Sequence, residues 1–300
     1  MTALIFGGAF VVLAIVVIFL ISTLTTAAAG QPISAAPVSS SVLNAVTHVT
    51  PAQFAAAGTG AGQVTVKNVF AATPKQPLLT QTIGTQKLPV LAYEGAEYCP
   101  YCAATRWPLI IALSRFGTFT GLATIGSSPN DVYAATRTFT FAKAHYTSKY
   151  LVFDPTEFES NVCAVALSAG ECPNADYKQL QAASKSSAAL FATYDTTKYF
   201  PGGTTGGIPF IDWGGLLVSS GSAYSPSVIN PGNSTNYQGW HPLSWDQVVA
   251  ALKTPSTIQA EAILGTANLY TAAICDMTHD QPASVCNTPV VKQLQAQLPS

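Results

Sequence analysis

The sequence predicts an α/β fold preceded by a transmembrane helix. The α/β class follows from the order of three segments: an apolar run at 88–93 that is bounded like a buried strand, a helical pattern at 103–116, and a second apolar run at 121–128. Strand, helix and strand with short links form a right-handed βαβ unit. We therefore expect 88–93 and 121–128 to pair in parallel.

The first 24 residues predict a membrane anchor. Residues 3–24 carry no charge, and as a helix rising about 1.5 Å per residue they would span roughly 33 Å, enough for a bilayer core. A cleaved signal peptide is the alternative, because the small residues at 25–30 could form a processing site. Its apolar region is usually only about 7–15 residues long, however. We predict an uncleaved, single-pass anchor.

Composition and cysteine content limit which partners and which cellular compartment the protein can have. Charged residues make up 9% of the chain and the net charge is −1, which is not the basic footprint of a nucleic-acid-binding protein. The six cysteines are an even number, which is typical of an oxidising compartment. We therefore expect the body of the protein to lie outside the cytoplasm, held at the cell membrane or secreted after signal cleavage, with no nucleic-acid partner.

Shorter patterns predict the remaining elements. Residues 51–57 suggest a short helix, and 244–253 suggest an amphipathic helix with Ser244 as N-cap and Gln247 at the capping-box position. Pro108 is expected to kink or interrupt the helix at 103–116. We also predict strands at 136–142, at 149–155 and on both sides of Gly214-Gly215, helices at 175–194 and from 258 onwards, and a flexible break at 201–207.

Cys99 and Cys102 follow the first predicted strand and open the helix after it, which predicts a redox couple. The first sulfur would lie at the helix N-terminus, where unpaired N–H groups and the macrodipole favour a thiolate. The second would lie one turn further in, close enough to resolve a mixed disulfide on the first. A zinc site needs four ligands, and no second CxxC or His pair has a matching spacing. We predict no metal and no organic cofactor.

Ile208-Pro209 is the second candidate site element. Pro209 begins a predicted strand 107 residues after Cys102 and is followed by two strands and a helix. An X–Pro bond adopts the cis form at little cost, so a cis proline would be compatible with this position. An ordinary proline that starts a strand is the alternative.

The segments AEYCPYC (96–102) and GIPF (207–210) resemble the two active-site elements of the thioredoxin superfamily. In that fold a loop ending in a cis proline packs against the CxxC and offers backbone groups to a substrate. More closely, the blocks at 95–119, 138–153 and 267–286 resemble an uncharacterised family of membrane-anchored, thioredoxin-like proteins of archaea and actinobacteria. The similarity extends from about Ser41 to Val291. It implies a thioredoxin-like fold and redox chemistry, with no established substrate.

The resemblance implies roles for individual residues. Cys99 takes the nucleophile's place, Cys102 that of the resolving thiol, and Pro209 that of the cis proline. Substrate contacts are expected from Pro100, Tyr101 and Ile208. Thioredoxin has a buried aspartate six residues before its nucleophile as a proton acceptor, and here that place is Tyr93. Glu94 or Glu97 could substitute, although we expect both to be solvated at the surface.

The resemblance also divides the chain. Residues 1–24 are the anchor, 25–86 a low-charge stalk or linker, and 87–265 the thioredoxin-like domain. An insertion of helix and strand at about 130–205 separates its CxxC βαβ unit from the cis-Pro strand. Residues 266–300 form a helical C-terminal extension.

Four cysteines remain outside the CxxC, at short spacings in two pairs. We predict that Cys163 bonds to Cys172 on the insertion and Cys275 to Cys286 on the extension, each as a structural disulfide. An alternative for the first pair is an electron relay to Cys99 and Cys102.

The functional prediction is a membrane-anchored, extracytoplasmic thiol–disulfide oxidoreductase that acts on protein thiols and disulfides. A non-catalytic, thioredoxin-like binding or cell-surface protein is the alternative. Low reduction potential without exchange activity would favour that alternative.

Overall fold

A computed structural model describes residues 31–75, 77–164, 172, 176–232 and 239–300. Pro32–Ser300 form one compact unit. The predicted anchor at 1–24 lies outside the described residues. None of the helices in the described ranges combines the length and the apolar character that crossing a bilayer requires.

The described residues form a mixed α/β structure. The strands are β1 (Ala36–Pro37), β2 (Phe70–Ala72), β3 (Thr80–Ile83), β4 (Gln86–Gly95), β5 (Gly117–Thr120), β6 (Ala123–Gly126), β7 (Arg137–Thr140), β8 (His145–Ser148), β9 (Val152–Glu157), β10 (Glu159–Cys163), β11 (Tyr177–Gln179), β12 (Phe210–Trp213) and β13 (Leu217–Ser220). The helices are α1 (Ser40–Thr47), α2 (Pro51–Ala57), α3 (Pro100–Leu113), α4 (Lys185–Tyr194), α5 (Trp245–Leu252), α6 (Ile258–Met277), α7 (Ala283–Cys286) and α8 (Pro289–Gln295).

The main sheet is built around β4. On one side β4 pairs antiparallel with β12, and the sheet continues through β13 to β2. On its other side the first half of β4 pairs antiparallel with β3 and the second half pairs in parallel with β9, with Val90 opposite Val152. The CxxC therefore follows the strand at the centre of the sheet.

Both faces of the main sheet are covered. Ile211 and Trp213 belong to the larger core together with residues of α3 and α6, whereas Phe210 and Val218 belong to a smaller cluster with Tyr194 of α4. Side chains alternate between the two faces along a strand, which accounts for this division. Helix α6 is buried along almost its whole length and packs against α3.

Three elements agree with the sequence predictions. Helix α2 lies at 51–57, α5 begins after Ser244 with its capping box to Gln247 formed, and β12 and β13 form a hairpin across Gly214-Gly215. Each of these elements carries its own local signal, a cap or a tight glycine turn, that does not depend on distant contacts.

The predicted parallel pairing of 88–93 with 121–128 is wrong. The second segment does form β6, but β6 pairs antiparallel with β1 and β7 in a separate sheet. The parallel partner of β4 is β9, so residues 114–151 lie inside the crossover of the βαβ unit. The predicted insertion at 130–205 is therefore divided by β9, with one part before that strand and one after it. A short apolar run identifies a strand but not its partner.

The segment predicted as a stalk differs from that prediction where it is described. Val42 and Val46 of α1 and Phe54 of α2 are buried in the larger core, and β2 forms an edge of the main sheet. The predicted C-terminal extension likewise begins within α6, which crosses residues 265 and 266 without a break. Low charge does not indicate a solvated linker here, because these helices contact the core through apolar side chains.

Helix α3 continues through Pro108, so of the two predicted effects the interruption does not occur. Proline has no N–H to donate to the carbonyl four residues earlier, which here belongs to Ala104. The hydroxyl of Tyr224 donates to that carbonyl at 2.8 Å instead. A distant side chain thus replaces the missing helical hydrogen bond.

The helix predicted at 175–194 occupies only the second half of that range. Residues 177–179 form β11, which pairs with β10, while α4 begins after its N-cap Ser184. Cross-strand pairing overrides the helical composition of the first half.

Candidate active site

Cys99 is the N-cap residue of α3, as the CxxC spacing predicts. Its backbone is extended, with φ −73° and ψ 124°, and Pro100 occupies the first helical turn. The Cys99 Sγ accepts a hydrogen bond from the backbone N–H of Cys102 at 3.2 Å. This sulfur therefore occupies the position at which a helix end stabilises negative charge. Cys99 and Cys102 are both free thiols.

The structure brings the second predicted element to the dithiol. The Cys99 thiol donates to the Ile208 carbonyl oxygen at 3.6 Å, and the Ile208–Pro209 bond is cis. Pro209 is buried and leads directly into β12, which pairs with β4. The register between these adjacent strands thus positions the Ile208 carbonyl beside the sulfur.

The two thiols have different surroundings. Cys99 is 5% exposed and Cys102 has no exposed surface. Burial raises the pKa of Cys102 well above its usual range, and the neighbouring Cys99 sulfur raises it further, while Arg106 acts in the opposite direction. Cys102 therefore stays protonated and inaccessible, while Cys99 keeps a small exposed surface, which suits a resolving thiol and a nucleophile respectively.

A buried ion pair lies behind Cys102. The Nε of Arg106 donates to Glu157 Oε1 at 2.8 Å, its Nη2 donates to the Ala96 carbonyl at 2.7 Å, and both side chains are fully buried. Burial opposes the charge of Arg106, but Glu157, Tyr93 and Cys102 together raise its pKa. The Arg106 guanidinium is thus a fixed positive charge close to Cys102.

Two polar atoms in this region have no hydrogen-bond partner among the described residues. They are the Nη1 of Arg106 and the hydroxyl of Tyr93. Burial raises the pKa of Tyr93 well above its usual range, so its hydroxyl is a donor and not a base at neutral pH. The Arg106 guanidinium favours the charged form of Cys102, and Tyr93 lies close enough for Cys102 to act on its pKa.

Sequence analysis missed Arg106 and Glu157. Arg106 is the only charged residue in α3, and it lies one turn after Cys102. A lone charge in an otherwise apolar helix was the signal that could have indicated it, because a buried charge needs a partner.

The expectation that Glu94 and Glu97 are solvated is wrong. Glu94 has no exposed surface and Glu97 is 6% exposed. Glu94 follows Tyr93 along β4 and so points to the opposite face, where burial raises its pKa to about 7. Burial also raises the pKa of Glu97, whose Oε1 accepts a hydrogen bond from Thr140 at 2.7 Å. The charged or ionisable groups that shift the pKa of Cys102 are Cys99 and Arg106, and neither carboxylate is among them.

Aromatic side chains surround the entrance to the dithiol. Tyr101, between the two cysteines, is 41% exposed and meets the edge of Tyr133, whose ring in turn packs on Trp240. On the other side Tyr98 stacks on Tyr177 with ring centroids 4.1 Å apart. Sequence analysis predicted only Tyr101 of this group. Tyr98 directly precedes Cys99, but its partner Tyr177 and the pair Tyr133 and Trp240 come from distant parts of the chain.

The four remaining cysteines form the two predicted disulfides, Cys163–Cys172 and Cys275–Cys286. Cys163 lies opposite Tyr177 in the β10–β11 ladder, and Tyr177 stacks on the residue that precedes Cys99. The first disulfide thus supports one side of the aromatic entrance. Within the described residues, no three metal-ligating side chains come together.

Comparison with known families identifies the chain at the family level. A family model described as Domain of unknown function (DUF929) matches residues 79–276, well over half of the chain. The chain belongs to this family. The matched range contains both thiols, the cis proline and the Arg106–Glu157 pair, so the whole site lies within the family domain. No curated protein and no solved structure matches the chain.

Proposed function

We propose that the protein is a thiol–disulfide oxidoreductase with a thioredoxin-like fold. The observation that carries this proposal is the position of Cys99, which caps a helix, keeps a small exposed surface and contacts the carbonyl before a cis proline. This is the arrangement that the thioredoxin resemblance implies. Four other cysteines are already paired, so the two free thiols form the candidate exchange couple.

The proposed reaction consists of two exchanges. The Cys99 thiolate attacks a substrate disulfide, forms a mixed disulfide, and releases one substrate thiolate, which takes up a proton. Cys102 then loses its proton and attacks the Cys99 sulfur, forming the Cys99–Cys102 disulfide and releasing the second substrate thiol. The substrate gains two electrons and the protein loses two. In reverse, the same steps oxidise a substrate dithiol, and neither direction needs a metal or organic cofactor.

The environment of Cys102 supports its role in the second step. A buried thiolate is costly, and the Arg106 guanidinium with the Tyr93 hydroxyl supplies positive charge and a donor where that thiolate would form. Ionisation of Cys102 is thus disfavoured at rest and assisted by groups already in place.

The surroundings of the site support a protein substrate. Tyr101, Tyr133 and Trp240 form an aromatic surface beside the sulfur, and the Ile208 carbonyl is available to an extended chain once a substrate replaces the thiol proton. Aromatic residues are enriched where proteins bind one another.

We place the protein at the cell membrane with its body outside the cytoplasm. The uncharged segment at 3–24 and two disulfides outside the CxxC support this location. The membrane partner would be contacted through the N-terminal segment, and the protein partners would be extracytoplasmic thiols and disulfides.

The test compares the full chain with Cys99→Ser and Cys102→Ser in insulin reduction and in oxidative refolding of a reduced substrate. We expect Cys99→Ser to reduce both activities to background. Cys102→Ser should accumulate mixed disulfides, visible on non-reducing gels, because the resolving thiol is missing. Equal trapping by the two variants, or full activity of Cys99→Ser, would instead support a binding protein that uses the CxxC as a bridge.

A further inference from the structure

A cavity of about 720 Å³ lies at the other end of α3 from the thiols. It is enclosed by α1 and α2, by the last turn of α3, and by α7 and α8. Its apolar lining includes Val49, Phe54, Ile111, Val285 and Val290. Cavities of about 300–1,000 Å³ with mostly apolar walls and a few polar groups are typical of small-molecule sites.

One positive charge, Arg115, lines this cavity. Burial lowers its pKa to about 10, which leaves it charged at neutral pH. The described residues form two ion pairs, Arg106 with Glu157 and Lys292 with Asp280, so no carboxylate among them pairs with Arg115. A largely buried guanidinium without a counter-ion is costly, and an anion that reaches it would offset that cost.

The guanidinium is held in a fixed orientation. Its Nη1 donates to Thr271 at 3.0 Å and to Asn268 at 3.3 Å, and its carbon lies 4.1 Å from the ring centre of Phe54. The Nε and Nη2 groups of Arg115 have no hydrogen-bond partner among the described residues. They are also not among the polar atoms that are fully buried without a partner. They are therefore accessible donors on a preorganised group, in the fork geometry that binds a carboxylate.

We propose that this cavity binds a small organic carboxylate, with its apolar body between α2 and α8 and its carboxylate on Arg115. The site is separate from the dithiol and does not depend on the proposed redox function. A purely structural role for Arg115, joining α3 to α6 through Asn268 and Thr271, is the competing explanation.

Calorimetric titration of the full chain with 4-phenylbutanoate and with the uncharged 4-phenylbutanol tests the proposal. The two probes share the same apolar body and differ in one group, which is a carboxylate in the first and a hydroxyl in the second. We expect the carboxylate to bind about tenfold or more tightly than the alcohol, because hydrogen bonds to charged groups are the stronger ones. Arg115→Gln should remove that preference, while Lys149→Gln, an equal loss of charge away from the cavity, should leave it unchanged.

A second variant separates binding from folding. Ala55 is an exposed residue that lines the cavity. The Ala55→Trp variant should therefore prevent both probes from binding, although Arg115 itself is not substituted. Equal affinity for the two probes, or a preference that survives Arg115→Gln in folded protein, would overturn the proposal. If the Arg115→Gln variant does not fold, the Ala55→Trp variant decides the question: carboxylate binding as tight as that of the wild type would overturn the proposal.

Discussion

Cys99 and Cys102 have the same side chain, yet their positions give them different surroundings. The first caps α3 and is 5% exposed, and the second lies one turn deeper, close to Arg106, with no exposed surface. Sequence spacing predicted this difference, because a helix end and a 3.6-residue turn are local features. It did not predict Arg106 and Glu157, since their pairing joins α3 to the last residue of β9, 51 positions apart.

Glu94 makes the stability of the protein depend on pH. Burial raises its pKa from 4.5 to about 7, so between these values the folded protein keeps a proton that the unfolded chain has released. Stability therefore falls as pH rises from about 5 to 7. We expect the thermal unfolding midpoint of the wild-type protein to fall by at least a few degrees over this pH range. The midpoint of the Glu94→Gln variant should fall less.

Asp212 provides the comparison for this prediction. It is buried on β12 and its pKa is also raised by burial to about 7, so it contributes a slope of the same sign. The double variant Glu94→Gln/Asp212→Asn should show the smallest change of the unfolding midpoint between pH 5 and 7. A wild-type midpoint that rises from pH 5 to 7 would contradict the burial argument for both carboxyls.

At the scale of elements, local signals were reliable and long-range pairing was not. The cap of α5 and the hairpin of β12 and β13 could be read from single residues. The parallel partner of β4 could not, because β6 and β9 are both short strands and only the assembled sheet selects between them. Helix α3 shows the same limit, since the Tyr224 hydroxyl that compensates for Pro108 lies 120 residues from the carbonyl it reaches.

Strand β2 tests whether the predicted stalk belongs to the fold. Phe70 is 6% exposed and stacks on Trp213 with ring centroids 5.7 Å apart, within the larger core. We expect Phe70→Ala to lower the free energy of unfolding by about 3–5 kcal/mol. Ile83, also within the predicted stalk but 49% exposed, is the control, and Ile83→Ala should change stability by about 0.5 kcal/mol or less. Urea unfolding measures both, and equal small effects would restore the stalk interpretation.

At the scale of the whole molecule, cysteine chemistry connects the fold to its compartment. The Cys275–Cys286 disulfide joins α6 to α7, and α7 forms part of the wall around Arg115. The Cys163–Cys172 disulfide supports the Tyr98–Tyr177 side of the redox entrance. Each candidate site therefore has one structural disulfide beside it.

This arrangement predicts two classes of cysteine in protein isolated from its native compartment. Alkylation without reductant, followed by mass spectrometry, should find Cys163–Cys172 and Cys275–Cys286 intact, because an oxidising compartment maintains structural disulfides. After mild reduction Cys99 should be alkylated first, since Cys102 is fully buried.

Protease added to intact cells should cleave the domain, with a cytoplasmic protein as the uncleaved control. Free thiols at all four structural positions, or a domain that protease never reaches, would contradict the extracytoplasmic location while leaving the dithiol chemistry to be judged by its own assay.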